Sequence, residues 1–381
     1  MDLKLFFDPL DIDVSKFPGS SFAASVYIND GHMPDHEDMH IAVIGLVEHR
    51  GGTSGQGYEK AADAVREQLY ALKKGSGTFK VVDLGNFRNG PEWQDTILRL
   101  KEVIGYLLDK NILPILIGGT HDLDWGQYLG YESTGKLLTV LGIDNTFDFQ
   151  DSEVRAQSHL SQIFRHDPNY LFNYYHLAHQ SYLNHHRETD LIEKMSFQAI
   201  RLGEVKENLQ AMEPMVRDAD MLSFDISALQ SGYAPGATDS KVYGLTGEEA
   251  CQLCWYAGLN DKLSSIGLYE YDANKDDDDR KTAFVMATMI WYFIEGFYNR
   301  KGDINFMSND YLIYDVPFEG DPPTIRFYKS QLSEKWWMEI PGEDSNVFFN
   351  RNRMVACDYT DYETAVKGEV PARWLSFYNR S

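Results

Sequence analysis

Apolar residues along this chain fall into short continuous runs separated by amphipathic stretches. HIAVIGL (40–46), TFKVVDLG (78–85), ILPILIGG (112–119) and LLTVLGID (137–144) have strand length and no polar face. That pattern predicts strands buried on both sides of a parallel sheet. Between them, YEKAADAVREQLYALKK (58–74) and EWQDTILRLKEVIGYLLDKN (92–111) repeat apolar positions at helical spacing, and DLDWGQYLGYES (122–133) predicts a short helix. The alternation resumes with strands at 196–205, 220–227 and 262–271, helices at about 206–218 and 246–260, and a long apolar helix at 280–301. NYLFNYYHLAHQSYLNHH (169–186) reads as a helix, and 145–171 as a polar, irregular connection of a length that loops rarely have without work at a site. Strands alternating with helices predict the α/β class, a mostly parallel sheet covered by helices on both faces.

The two ends differ from this middle. Residues 1–40 read as an irregular segment in which His32, His36 and His40 share helix-like spacing, but Pro34 interrupts it, so a solvated loop is expected. After the α/β domain at 41–301, residues 302–381 form a C-terminal extension, expected to pack on the main domain. Its short strands YLIYDV, TIRFYKS and KWWMEI are broken by Pro and Gly, and it holds Trp336, Trp337 and Trp374. Aromatic density of this kind implies local packing first and a protein-partner surface second.

Composition narrows the function classes. A formal charge of −23, from 35 basic and 58 acidic side chains, argues against nucleic acid or an anionic membrane as the main partner. The start, MDLKLFFDPLDIDV, lacks the basic and long apolar regions of a signal peptide, and no run of membrane-spanning length follows, so a cytoplasmic address is expected. Three cysteines do not make a disulfide framework, and the pair Cys251 and Cys254 lies within a helical pattern without a second pair, which implies core packing.

Chemistry concentrates at strand ends, where ligands bind in open α/β sheets. His121 follows the third strand, Asp144 and Asp148 follow the fourth, and Asp225 ends DMLSFD. Three carboxylates brought together would raise one another's pKa, and a divalent cation is the economical way to keep them ionised. Oxygen donors with one imidazole suit manganese or magnesium. Carboxylates at strand ends also cap helices, and a histidine after two glycines also sits satisfied in cores, so the residues alone leave both readings open. The loop HRGGTSGQG (49–57) matches neither GxGxxG nor GxxxxGK[ST], DANKDDDDR (272–280) lacks the Gly and Glu of a calcium loop, and both imply plain loops. Six of the eleven histidines lie between His159 and His186, and are expected on loop and helix surfaces.

Over about residues 41–300 the chain resembles the arginase and agmatinase superfamily, the ureohydrolases, and most closely their formimidoylglutamase branch. GGTHD (118–122) resembles the family's GGDHS, IDNTFDF its D-A-H-x-D, and SFDISALQSGYAPGA its S-F-D-x-D-x-x-D-P-x-x-A-P-G. GLTGEE (244–249) and YEYDAN (269–274) followed by RKTA complete the register. The resemblance implies a three-layer arginase-like fold and two manganese ions that activate water against a guanidinium or amidine carbon. It also implies that His121, Asp144, Asp148 and Asp225 hold the first ion, with Asp144 and Asp225 shared. For the second ion the family pattern needs His at 146 and Asp at 227, where this chain has Thr146 and Ser227. Thr120 stands where the family has Asp, which implies a weaker second shell. A site for one ion or none follows, with Asp148, His159 and Glu270 as the implied catalytic groups: Glu270 matches the family's guanidinium-contacting Glu, and His159 lies in the loop that carries a proton-shuttling His.

Two functions fit. One is metal-dependent hydrolysis of a C–N bond in a small linear amidine or guanidine such as formiminoglutamate, on a reduced, single-ion site. The other is an inactive pseudoenzyme that binds or assembles, as the loss at 146 and 227 and the C-terminal addition suggest. The family also implies a homo-oligomer.

Overall fold

The computed structural model describes residues 1–52, 57–75, 77–149, 152–319, 322–341 and 354–379, so residues 53–56 of the glycine-rich loop lie outside the described residues. The first half runs β1 (Phe7–Asp8), β2 (Val26–Ile28), β3 (Ile41–Leu46), α1 (Ala61–Ala71), β4 (Val81–Phe87), α2 (Trp93–Asp109), β5 (Leu113–Ile117), α3 (Asp124–Leu129) and β6 (Leu138–Ile143). It continues through α4 (His159–Arg165), β7 (Leu171–His179), α5 (His186–Lys194), β8 (Gln198–Arg201), α6 (Leu202–Glu207), α7 (Glu213–Asp218), β9 (Met221–Asp225), α8 (Gly247–Gly258), β10 (Ser265–Tyr269) and α9 (Lys281–Tyr298). β11 (Tyr311–Pro317), β12 (Thr324–Ser330), β13 (Trp336–Glu339), β14 (Met354–Cys357), α10 (Tyr359–Val366) and α11 (Ala372–Tyr378) follow.

Strands β1 to β10 form one sheet in the order β1-β4-β3-β5-β10-β9-β6-β7-β8, with β2 also on β4. Only β1 pairs antiparallel. Alternate residues of β3 explain the three layers. Ile41 and Val43 enter a buried cluster with α1 and α9 residues such as Val65 and Ile290. Ala42, Ile44 and Leu46 enter a second cluster with Leu100, Val103 and Leu107 of α2 on the other face. Near β6 and β7 a third cluster takes Leu160 and Ile163 of α4. The acidic loop 272–280 caps α9: Asp276 accepts from Thr282 N–H and Oγ1 at 3.1 and 2.8 Å and from Ala283 N–H at 3.2 Å.

Several sequence expectations need correction. Residues 171–179 are a strand, not a helix, because a run of large side chains with no polar face has both sides covered between β6 and β8. His176 and His179 on this strand, and His159 at the start of α4, are buried rather than on the surface. The connection 145–171 contains α4, and the strand expected at 196–205 stops at Arg201 before α6. Cys254 is buried and Cys251 half-buried in α8.

After α9 the chain builds a second, antiparallel sheet in the order β11-β12-β13-β14, followed by two helices that its sequence did not announce. Trp336, Met338, Phe327 and Trp374 share one buried cluster with Met215 and Val216 of α7. Arg217 ties the second sheet to α7. Its guanidinium donates to Trp336 O and Cys357 O, each at 2.9 Å, lies 4.4 Å over the Trp337 ring, and pairs with Glu213 at 2.9 Å. Arg217→Ala is expected to cost about 2–3 kcal/mol, since it leaves two buried carbonyls unpaired; a shift of less than about 0.5 kcal/mol in denaturant unfolding would remove Arg217 from this role.

No helix among the described residues is long and apolar enough to cross a membrane.

Candidate metal centre

Strand register brings the candidate residues together. β10 pairs Tyr269 with Asp225 of β9, and β9 pairs Phe224 with Ile143 of β6, which sets Asp144 beside Asp225. On the other side Leu268 pairs with Ile117 of β5. From there the chain turns through Gly118 and Gly119, at φ +87° and +75°, and Gly119 O accepts Glu270 N–H at 3.0 Å. The left-handed backbone at Gly119 is one that other residues adopt only with strain, which is why glycine stands there. Asp148 and Glu270 adopt φ +49° and +66° without being glycine, a strain of about 1 kcal/mol or more each that clusters at this site.

Four donor atoms face one point. His121 Nδ1 lies 3.4, 3.6 and 3.3 Å from an Oδ2 of Asp144, Asp148 and Asp225. It is buried and makes no hydrogen bond. The other carboxylate oxygens are already engaged. Asp144 Oδ1 accepts from Thr146 N–H and Ser227 Oγ at 3.2 and 3.3 Å, Asp148 Oδ1 from Thr146 Oγ1 at 3.0 Å, and Asp225 Oδ1 from Ser227 N–H at 2.6 Å. Thr146 and Ser227 therefore act as hydrogen-bond donors that aim the carboxylates.

These residues fit a divalent cation. Neighbouring donors around an octahedral ion with bonds of about 2.1 Å stand about 3 Å apart, and the four atoms here lie within 4.8 Å of one another with the imidazole nitrogen unpartnered. Three hard oxygens and one imidazole suit manganese or magnesium.

Electrostatics describe the same cradle. Burial and the charges of Asp225 and Asp148 push Asp144 well above the usual carboxylate range. Burial also acts to raise Asp148, but the facing His121 and His159 rings outweigh it and hold Asp148 below that range. Burial opposes charge on His121, and the three facing carboxylates overcome it.

A ring of hydrogen bonds surrounds the centre. His121 Nε2 meets Ser223 Oγ at 2.9 Å, and Ser223 Oγ donates to Asp124 Oδ2 at 3.1 Å. Asp124 Oδ1 meets His159 Nδ1 at 2.8 Å, and His159 Nε2 returns to Asp148 Oδ2 at 3.3 Å. Against burial, the Asp124 charge holds His159 at about 9. His176 Nε2 meets Asp144 O at 3.1 Å, and burial together with His179 pushes its ring down to about 3, so it stays neutral.

Beside the centre opens a cleft of about 240 Å3 whose wall includes Asp148, Asp225, Glu270, Thr238 and Asp239. Glu270 accepts from His121 N–H at 2.7 Å and from Tyr58 O–H at 2.6 Å. Burial and then the Asp225 charge push it up to about 7.

The structure thus gathers His121, Asp144, Asp148, Asp225, His159 and Glu270 in one place. Sequence reasoning missed Asp124, Ser223 and Tyr58. The signal for Asp124 is its position three residues after His121, at the start of a helix. His32, His36 and His40 join no cluster of metal-binding side chains among the described residues.

Parallel strands between two helical layers, with a cradle of one imidazole and three carboxylates at their ends, define a three-layer α/β protein with a candidate cation site. The Arginase family model matches residues 39–295, and the chain belongs to that family. It is 25% identical over 290 residues to the formimidoylglutamase of Streptococcus pyogenes serotype M3, covering 70% of this chain and 88% of that one. Among solved structures it resembles the Trypanosoma cruzi formiminoglutamase with Mn2+ at a TM-score of 0.64 and 18% identity, over 70% of this chain and 96% of that one. The formimidoylglutamase of Bacillus subtilis gives 0.63 at 16% identity, over 71% and 91%, and the agmatine ureohydrolase of Thermoplasma volcanium 0.59 at 17%, over 70% and 93%. These structures share the arginase-like fold.

Proposed function

We propose that this arginase-family chain holds one divalent cation, manganese or magnesium, between His121, Asp144, Asp148 and Asp225, and hydrolyses a C–N bond of a linear amidine or guanidine. The convergence of three carboxylate oxygens on an unpartnered buried imidazole nitrogen carries this reading. A bound ion supplies the charge that makes water nucleophilic near neutral pH. Glu270, in the cleft wall, orients the substrate's cationic carbon–nitrogen group. His159, protonated at Nε2 and 3.3 Å from Asp148, holds the proton that the departing amine needs. By family resemblance we also expect a homo-oligomer, which sedimentation tests; the cytoplasmic address expected from the sequence is tested by cell fractionation.

The opposing reading, a chain that binds without turnover, draws on Thr146 and Ser227, whose hydroxyls occupy carboxylate oxygens that a second ion would use. Metal analysis of protein purified without chelator, with assays for urea, ammonia and formamide release from an amidine panel, separates the two. About one ion per chain with turnover supports the hydrolase. One ion without turnover leaves binding alone, and no ion under manganese saturation sinks the site.

The cleft wall also ranks substrates. Its described lining offers Asp148, Asp225, Asp239 and Glu270 and no Lys or Arg. Formiminoglutamate would bring two carboxylates against those charges. Amidines and guanidines without a carboxylate are therefore expected to show kcat/KM at least about tenfold higher, a difference of about 1.4 kcal/mol in transition-state binding. Preference for formiminoglutamate in the same panel would refute this ranking.

A further inference from the structure

Asp124 belongs to neither the four-donor cradle nor the cleft wall, yet one of its oxygens meets His159 and the other reaches His121 through Ser223. It is buried at the start of α3. Oδ2 accepts from Ser223 Oγ, whose oxygen faces His121 Nε2, and Oδ1 faces His159 Nδ1. The two rings stand 4.1 Å apart, centre to centre. We propose that Asp124 is a positioning residue that sets the orientation and proton placement of both His121 and His159. This rests on the one-cation reading above.

The directions of the hydrogen bonds give the argument. An ionised carboxylate only accepts. Ser223 must therefore donate to Asp124, which leaves its oxygen to accept from His121 Nε2–H, and Nδ1 is then the nitrogen left facing the three Oδ2 atoms, where a cation can take the place of its proton. By the same rule His159 donates from Nδ1 to Asp124, which leaves Nε2 facing Asp148. One carboxylate thus fixes which nitrogen of each ring meets the cation cradle, the kind of outer partner that tunes metal affinity.

His121, Asp124 and His159 could instead be taken for a cation site of their own. The geometry points away from it. His159 Nδ1 lies at hydrogen-bond distance from Asp124, 2.8 Å, and His121 Nε2 is engaged by Ser223. The small cavity that all three residues help to line holds only about 10 Å3, and its other walls include the apolar Val140, Leu160 and Ile163.

Asp124→Asn keeps the shape and breaks the logic. Its amide carries one acceptor and one donor, while both neighbours donate, so one of them must reverse. If Ser223 reverses, His121 must place its proton on Nδ1, against the cation; if His159 reverses, it must give up its Nδ1 proton and keep only the one on Nε2. Ser223→Ala cuts only the link to His121.

The test measures Mn2+ dissociation constants by electron paramagnetic resonance, and the ring N–H protons of the metal-free protein by NMR downfield of the amides. Asp124→Asn is expected to weaken Mn2+ by about 10- to 100-fold and to shift or remove a ring-proton signal. Ser223→Ala is expected to weaken Mn2+ while the His159 ring proton persists. Wild-type affinity in Asp124→Asn, or weakened affinity with every ring-proton signal unmoved, overturns the proposal. Should the wild-type protein bind no Mn2+, the one-cation reading falls by itself. The ring protons then decide on Asp124 alone: their persistence in Asp124→Asn overturns its placement, and their loss upholds it.

Discussion

Asp225→Asn is expected to bind Mn2+ at least about a thousandfold more weakly and, without metal, to melt at a higher temperature than the wild-type protein. The two changes have opposite signs because the same carboxylate that serves a cation is a liability in its absence. Asp225 stands 3.3 Å from His121 Nδ1 and beside Asp144, whose carboxyl is pushed up by burial and by the Asp225 and Asp148 charges. Replacing one oxygen by an amide removes a negative charge from the group, which eases the repulsion among its carboxylates, and the new N–H offers a hydrogen bond to Nδ1 of a neutral His121. Ser227 N–H keeps its acceptor, since Asn retains Oδ1. With the cation the balance reverses. Manganese at one hundred times its dissociation constant stabilises the wild-type protein by about 2.7 kcal/mol, and the variant loses this. Thermal unfolding with and without Mn2+ reads both effects. A variant that melts lower without metal and still responds to Mn2+ would show that Asp225 is a structural cap.

How far the residues themselves announced this site depends on what kind of signal each carried. The strands β3, β5, β6, β9 and β10 were legible because burial on both faces leaves a continuous apolar run, and His121, Asp144, Asp148 and Asp225 were legible as polar residues breaking those runs at one end. β7 was not, since its aromatic and histidine-rich run suits either element when every position is covered. The fate of Thr146 and Ser227 was half legible. Their chemistry announced the loss of two donors, but only coordinates show their hydroxyls turned to hold Asp148 and Asp144. Asp124 stands three residues after His121, but spacing does not say what it touches, and Ser223 could not be found from spacing at all. Ser223 precedes Asp225 by two on a strand, so both point to one face, and its partner is 99 residues away.

The second large effect lies outside the site and shows the same limit. Asp83 interrupts the apolar strand β4, and Arg66 sits on the inner face of α1, where periodicity alone reads an ordinary strand and helix. Both side chains are fully buried. Arg66 donates to both Asp83 oxygens at 2.8 and 2.9 Å and to Gly85 O at 3.0 Å, while Tyr70 O–H and Gly85 N–H complete the Asp83 shell at 2.7 and 3.0 Å. Burial works against the guanidinium, and the Asp83 charge overcomes it, so Arg66 stays protonated throughout the accessible pH range. Asp83→Ala leaves that cation buried with no counter-charge of equal quality. The expected loss is about 3–5 kcal/mol of unfolding free energy. Asp83→Leu with Arg66→Met is expected to recover most of it, because removing both charges also removes the cost of desolvating them. Equilibrium unfolding in urea of the single and double variants decides. A single variant within about 1 kcal/mol of wild type would mean that water or Asp63, 3.0 Å from Arg66, can take over the charge.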